Sequence, residues 1–398
     1  MKFTINDLQQ HPTPLSAYYT QFRVSERLLL TGHSHQAWPD MAFRGLKQAY
    51  QDATDEVDNK WEKAFRKAEE VRQGYAALLD DENGYIALGA NTHELVVRFL
   101  SALPLKEKPQ LITTDGEFHS IRRQLARLEE EGIEVVRVPS QPLEDVAGQI
   151  MDAMNDKTAA VLVSSVFFDS GLINPGIKTI AEACESKGVH LLVDTYHSLN
   201  VVPFSVKELK LQNAFITGGG YKYCQLGEGN CFLRFPKDFE GRPVITGWFS
   251  EFSLLAGKHT GKVAYGQGPD LFAGSTYDPV SHYRAAEVFR FFKNKNLTPE
   301  FLRQVSRHQI GLLIEEFQKL DLPENFVHLD KNLVPESRAG FLVLKTMRAG
   351  EIQQQLMQAG VFTDNRGDSL RFGPAPYLSD QQLKEAMRIL GDVVRKMK

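Results

Sequence analysis

Between Tyr85 and Arg234, short β-branched runs alternate with segments of helical periodicity, which leaves few architectures open to the chain. Tyr85–Leu88, Leu111–Thr113, Glu134–Val138, Ala159–Ser165, Val189–Val193, Asn213–Thr217 and Asn230–Arg234 read as strands. Thr92–Leu103, His119–Glu131 and Ile177–Lys187 place apolar residues at three- and four-residue intervals and read as helices. Strands this apolar are covered on both faces, and helical crossovers join parallel neighbours. The expected fold is α/β, a mostly parallel sheet between helices. Ahead of it, Asp40–Asp80 is polar with apolar residues at helical spacing. After about residue 280 the pattern becomes α+β. Helices are expected at His282–Lys293, Pro299–Leu320 and Ala349–Ala359, strands at Gly340–Leu344 and near Val361 and Leu370, and a closing helix from Asp380. The expected division is an N-terminal segment at 1–45 packing with the small domain, a large domain at 46–280, and a smaller C-terminal domain at 281–398.

Charge and cysteine content remove several function classes. Lys and Arg number 46 against 50 Asp and Glu, a formal charge of −4, so nothing favours a nucleic-acid backbone or an anionic membrane. Cys184, Cys224 and Cys231 make neither a disulfide framework nor a zinc spacing. The longest apolar stretch, Ala159–Phe168, is too short for a membrane span, and the first residues lack a signal-peptide core. A cytoplasmic location is expected. Gly257–Val263 resembles a phosphate loop, but its glycines are too close and Val263 stands where Ser or Thr belongs. His33 and His35 form an H-x-H pair with no third ligand at useful spacing, so no metal is expected.

Three features converge on one chemistry. Leu191-Leu192-Val193-Asp194 sets a carboxylate at the carboxyl end of an apolar strand, where open α/β sheets hold ligands. Thr217-Gly218-Gly219-Gly220-Tyr221-Lys222 runs a strand through glycines into a lysine, and a desolvated lysine is an amine nucleophile. Gly89-Ala90-Asn91-Thr92-His93-Glu94 joins a strand to a helix start, whose free N–H groups suit a phosphate. Singly, these are a strand cap, a turn and a helix cap. Together, in this order, they are what pyridoxal 5'-phosphate requires: an amine for its aldehyde, a carboxylate for its ring nitrogen and a cup for its phosphate.

At these residues the sequence resembles fold-type I pyridoxal-phosphate enzymes of the class V aminotransferase group, with the kynureninases nearest, from about Leu30 to the C-terminus. The resemblance is carried by Asp194-Thr195-Tyr196-His197 with Asn200 and Pro203, and by Tyr221-Lys222-Tyr223 with Gly227 and Gly229. Gly247-Trp248-Phe249, Leu370-Arg371-Phe372-Gly373-Pro374-Ala375-Pro376 and Gly32-His33-Ser34-His35-Gln36 carry the rest. It implies a seven-stranded-type sheet in the large domain and a homodimer with active sites at the interface. By position, Lys222 resembles the Schiff-base lysine and Asp194 the partner of the ring nitrogen. Tyr221, Thr92 and the Asn91 backbone would hold the phosphate, with Trp248 and Ser275 or Thr276 reaching from the other subunit. His197 would sit beside the ring, and Phe118, or His119 if the alignment slips by one, would stack on it. Arg371 would clamp the substrate α-carboxylate, with His33, Ser34 and His35 near the substrate. Tyr221 would also relay a proton.

Departures from the family pattern cluster where substrate, not cofactor, is touched. His33 replaces an Asn, His35 and Gln36 replace Leu-Gly, and Glu251 stands where the family has His. The resemblance implies hydrolysis of a γ-keto amino acid such as kynurenine or 3-hydroxykynurenine, giving an anthranilate-type acid and alanine. The alternatives are a class V aminotransferase or another amino-acid lyase or epimerase, and a non-catalytic protein on the same fold. Intact Lys222 argues against the last.

Overall fold

The computed structural model describes residues 2–255, 257, 261–329 and 335–397; residues 258–260 of the phosphate-loop look-alike lie outside them. The chain opens with α1 (Ile5–Gln9) and the two-residue strand β1 (Leu28–Leu29). The helical pattern of Asp40–Asp80 divides into α2 (Met41–Glu56) and α3 (Lys60–Leu79), because Val57 turns to φ 46° between them.

The alternating region follows as β2 (Tyr85–Gly89), α4 (Thr92–Ser101), β3 (Gln110–Thr114), α5 (His119–Glu130), β4 (Glu134–Val138) and α6 (Val146–Ala153). It continues through β5 (Thr158–Ser164), α7 (Ile177–Lys187), β6 (His190–Asp194), β7 (Phe215–Gly219) and β8 (Cys231–Phe235). These strands form a seven-stranded sheet in the order β2-β8-β7-β6-β5-β3-β4. Only β8 runs against its neighbours; the others share one direction. β5 is buried at every residue, as a strand covered on both faces must be. Helix α6 has no counterpart in the expected elements.

One strand boundary moves with consequences for the site. β7 runs two residues further than the apolar pattern, so Gly218 and Gly219 belong to the ladder and not to a turn. A methyl on Gly218 would meet Thr195 Oγ1 at 2.7 Å, and one on Gly219 would collide with the Tyr196 hydroxyl. Glycine is needed there for close approach.

Beyond the sheet, 3₁₀ turns at Trp248–Leu254 and Gly268–Phe272 interrupt the loop that follows β8. Then come α8 (Val280–Lys295), α9 (Pro299–Lys319), β9 (Leu342–Lys345), α10 (Ala349–Gln358), β10 (Val361–Phe362), β11 (Asp364–Arg366), β12 (Ser369–Phe372) and α11 (Asp380–Lys396). β11, β12 and β9 make a three-stranded antiparallel sheet. β1 pairs in parallel with β10, and Thr31 bridges to Gly373, which brings the His33 loop against the end of β12. No helix among the described residues is long and apolar enough to cross a membrane.

Candidate active site

The carboxyl ends of β2, β3, β6 and β7 open on one cavity of about 450 Å³. Asp194 ends β6, Lys222 lies just past β7, Asn91 and Thr92 start α4 after β2, and Phe118 caps α5 after β3. All five line the cavity with Tyr196, His197, Tyr221, Glu228 and Cys231.

Lys222 is buried, and its Nζ lies 2.5 Å from His197 Nε2. Aromatic rings surround the amine, with centroids at 4.9 Å (Tyr196), 5.5 Å (Phe118) and 5.8 Å (Tyr221). Desolvation drives its pKa down to about 7 against the pull of Asp194, and Arg371 adds to the depression. Burial raises the pKa of Asp194, opposed by the Tyr196 N–H that its Oδ1 accepts at 2.8 Å and by Lys222. Burial, reinforced by Lys222, holds His197 well below the ordinary histidine range and therefore neutral.

The start of α4 is a well-made cap. Asn91 Oδ1 accepts the Glu94 N–H at 2.9 Å, and Asn91 Nδ2 donates to Glu94 Oε1 at 3.0 Å. Thr92 Oγ1 donates to Cys231 Sγ at 3.6 Å. Tyr221 lies between two rings, stacked on His35 at 4.6 Å and tilted to Tyr196 at 4.9 Å.

Of the two aromatic candidates, Phe118 lines the cavity; His119 is exposed and does not. His35 is exposed with Ser34 beside it, Ser34 Oγ lying 3.1 Å from His35 Nδ1. Arg371, like His33, Ser34 and His35, does not line the Lys222 cavity; it is 3% exposed and already engaged, its Nε and Nη2 gripping Asp364 and its Nη1 donating to the Phe168 carbonyl. His33 joins this network through Nε2, 2.8 Å from Asp364 Oδ1, and burial takes its pKa down to about 4. Within the chain, Trp248 is 43% exposed and packs on Phe249 and Phe252, not on the Lys222 cavity. Ser275 and Thr276 line a second cavity of about 810 Å³ that shares Ala90, Glu228 and Gly229 with the first. Glu251 lines neither.

Two acids that shape the site escape the sequence reading. Glu117 is fully buried and accepts from Thr114 Oγ1 at 2.7 Å, the Ser164 N–H at 3.1 Å and Ser164 Oγ at 2.6 Å. Burial lifts its pKa to about 7, and Asp194 adds to the rise. Its signal was a position one turn beyond a strand's carboxyl end. Asp364 shows itself only once β11 and β12 are paired, because the register sets it opposite Arg371.

Two family models match the chain: aminotransferase class-V over residues 43–225, and the kynureninase C-terminal domain over residues 302–390. A kynureninase of Bacillus thuringiensis subsp. konkukian is 24% identical over 367 residues, covering 86% of this chain and 81% of the relative. The uncharacterized aminotransferase YcbU of Bacillus subtilis is 23% identical, covering 90% and 92%. Among solved structures, C-DES, with glycine covalently linked to its PLP cofactor, superposes with a TM-score of 0.81 at 16% identity over 96% of this chain and all of that one. A cysteine desulfurase of Thermococcus onnurineus gives 0.80 at 15% identity over the full length of both. These superpositions show the fold.

Proposed function

The chain is a kynureninase-like enzyme of the class V aminotransferase group, fold-type I and dependent on pyridoxal 5'-phosphate, and from that premise we propose that it hydrolyses a γ-keto amino acid of the kynurenine type. The residues present suit the cofactor. A buried amine of depressed pKa, a strand-end carboxylate, a helix N-terminus and an aromatic face share one cavity of about 450 Å³, within the range of small-molecule sites. Lys222 would hold the aldehyde carbon and Asp194 the ring nitrogen. Asn91, Thr92 and Tyr221 would hold the phosphate, Phe118 the ring face, and His197 would stand beside it.

Bound there, the cofactor supplies an electron-withdrawing ring that stabilises negative charge on the substrate α-carbon. The chain's groups do the rest. Arg371 receives the α-carboxylate. Lys222 Nζ, freed when the substrate amine takes its place and neutral above about pH 7, would take the α-proton, and His197 Nε2 at 2.5 Å would steady the ammonium that results. Asp194 keeps a proton at the ring nitrogen, and Tyr221 relays one to the departing fragment. Overall, L-kynurenine and water give anthranilate and alanine. One observation supports the finer reading: Arg371, inside the segment matching the kynureninase C-terminal domain, is buried and within electrostatic reach of Lys222.

We also place the enzyme in the cytoplasm as a homodimer, the partner's Trp248 and Ser275 or Thr276 completing the phosphate site. The division at residues 45 and 280 belongs to the same proposal. Purified protein given L-kynurenine or 3-hydroxykynurenine is expected to release alanine. No alanine from a protein with a normal cofactor absorbance band would remove the hydrolase reading and leave the cofactor reading standing. Amino-group transfer to an added keto acid would establish the competing aminotransferase reading, which the altered His33 and His35 favour and to which Glu251, outside both cavities, adds nothing.

A further inference from the structure

We propose that Asp364 is a positioning residue for Arg371, fixing its guanidinium so that the N–H groups left over receive the substrate carboxylate. The proposal rests on the reading of Arg371 as carboxylate receptor and deepens it. Asp364 stands directly opposite Arg371 in the β11–β12 register, so the hairpin itself sets the two side chains face to face. Asp364 Oδ1 accepts from Arg371 Nε at 2.8 Å and Oδ2 from Nη2 at 2.6 Å, while Nη1 donates to the Phe168 carbonyl at 2.7 Å. A guanidinium carries five N–H groups, and these three bonds use three of them, which leaves two for the carboxylate in this proposal.

Asp364 is anchored in turn. His33 Nε2 lies 2.8 Å from Oδ1, and the His33 ring stacks on Phe341 at 4.6 Å and 28°. Arg371 is buried, and a buried guanidinium stripped of its counter-ion turns toward whatever acceptor it finds. Orientation before binding spares the ligand the cost of ordering its receptor.

Asparagine at 364 separates orientation from competition for the arginine. It keeps one acceptor, shared by His33 and Nε, but sets an amide NH₂ against Nη2, donor against donor, so the fork must rotate. Cofactor-loaded protein is titrated calorimetrically with propionate and, separately, with propionamide. In Asp364→Asn, propionate affinity is expected to fall on the order of tenfold while propionamide affinity stays within about twofold, with partial recovery in Asp364→Glu. Tighter propionate binding would show that Asp364 competes with the ligand; unchanged binding, or equal loss for both probes, would show no orienting role. Each overturns the proposal. If Asp364→Asn does not fold, His33→Leu, which has no donor for Asp364, removes the anchor instead and is expected to give the same selective loss in smaller measure, whose absence overturns the proposal. Wild-type protein with no preference for propionate, or a preference that survives in Arg371→Lys, removes Arg371 as receptor and the proposal with it. A preference lost in Arg371→Lys but kept in Asp364→Asn removes only the role of Asp364.

Discussion

Lys222 sits in surroundings that disfavour its charge, with desolvation outweighing the attraction of Asp194. Its depressed pKa makes the amine protonated below about pH 7 and free above it. Recapture of pyridoxal phosphate by cofactor-stripped protein is therefore expected to accelerate as pH rises through about 7 and then level off. Asp194→Asn deletes the group that holds the amine's pKa up, so the midpoint should move lower; a midpoint in the ordinary lysine range would contradict this. Glu117 carries the opposite sign. Its folded pKa is raised from 4.5 to about 7, so the folded state holds the extra proton between those values and stability falls as pH rises across that window. In Glu117→Gln that fall should flatten, which melting temperatures measured from pH 5 to 7 would reveal. Lys222 and Asp194 were legible because a lysine among glycines and an acid at the end of an apolar strand are unusual in sequence. Glu117 was not, since an acid in a Thr-Asp-Gly-Glu loop looks solvated until the fold closes over it.

At the scale of elements, the central strands were readable and their ends were not. The apolar run stops at Thr217, but the ladder continues through Gly218 and Gly219, where Thr195 and Tyr196 leave no room for a side chain and so erase the apolar signal. Loss of the Asn91 cap in Asn91→Ala should cost about 1 kcal/mol in chemical denaturation. It should also weaken pyridoxal phosphate binding, since the start of α4 would fray where the phosphate is expected. Loss of stability with unchanged cofactor affinity would separate the cap from the phosphate cup. The β11–β12 hairpin was the least legible element. Asp364 and Arg371 are seven residues apart in a stretch with little periodicity, and only antiparallel pairing makes them neighbours.

For the molecule as a whole, the proposed site draws on distant parts of the chain: the carboxyl ends of four strands, which open on the Lys222 cavity, and the His33 loop and β11–β12 hairpin, which the proposal brings to the substrate. The alternation between residues 85 and 234 announced the parallel sheet, whereas β1–β10 pairing, which draws the His33 loop to β12, has no signature in two-residue strands. One buried ion pair ties the end of α3 to the sheet. Arg234 Nε meets Asp81 Oδ2 at 2.7 Å with side chains 1% and 4% exposed, and the guanidinium also donates to the carbonyls of Leu211, Gln212 and Ala214. Asp81→Asn would strand that charge and should lower unfolding free energy by about 3 kcal/mol. An unchanged denaturation midpoint would mean the three carbonyls suffice. Everything proposed about catalysis depends on one covalent attachment. Borohydride reduction of the cofactor-loaded protein, followed by peptide mass mapping, should place the phosphopyridoxyl group on Lys222 and on no other lysine; an unmodified Lys222 peptide would contradict the account.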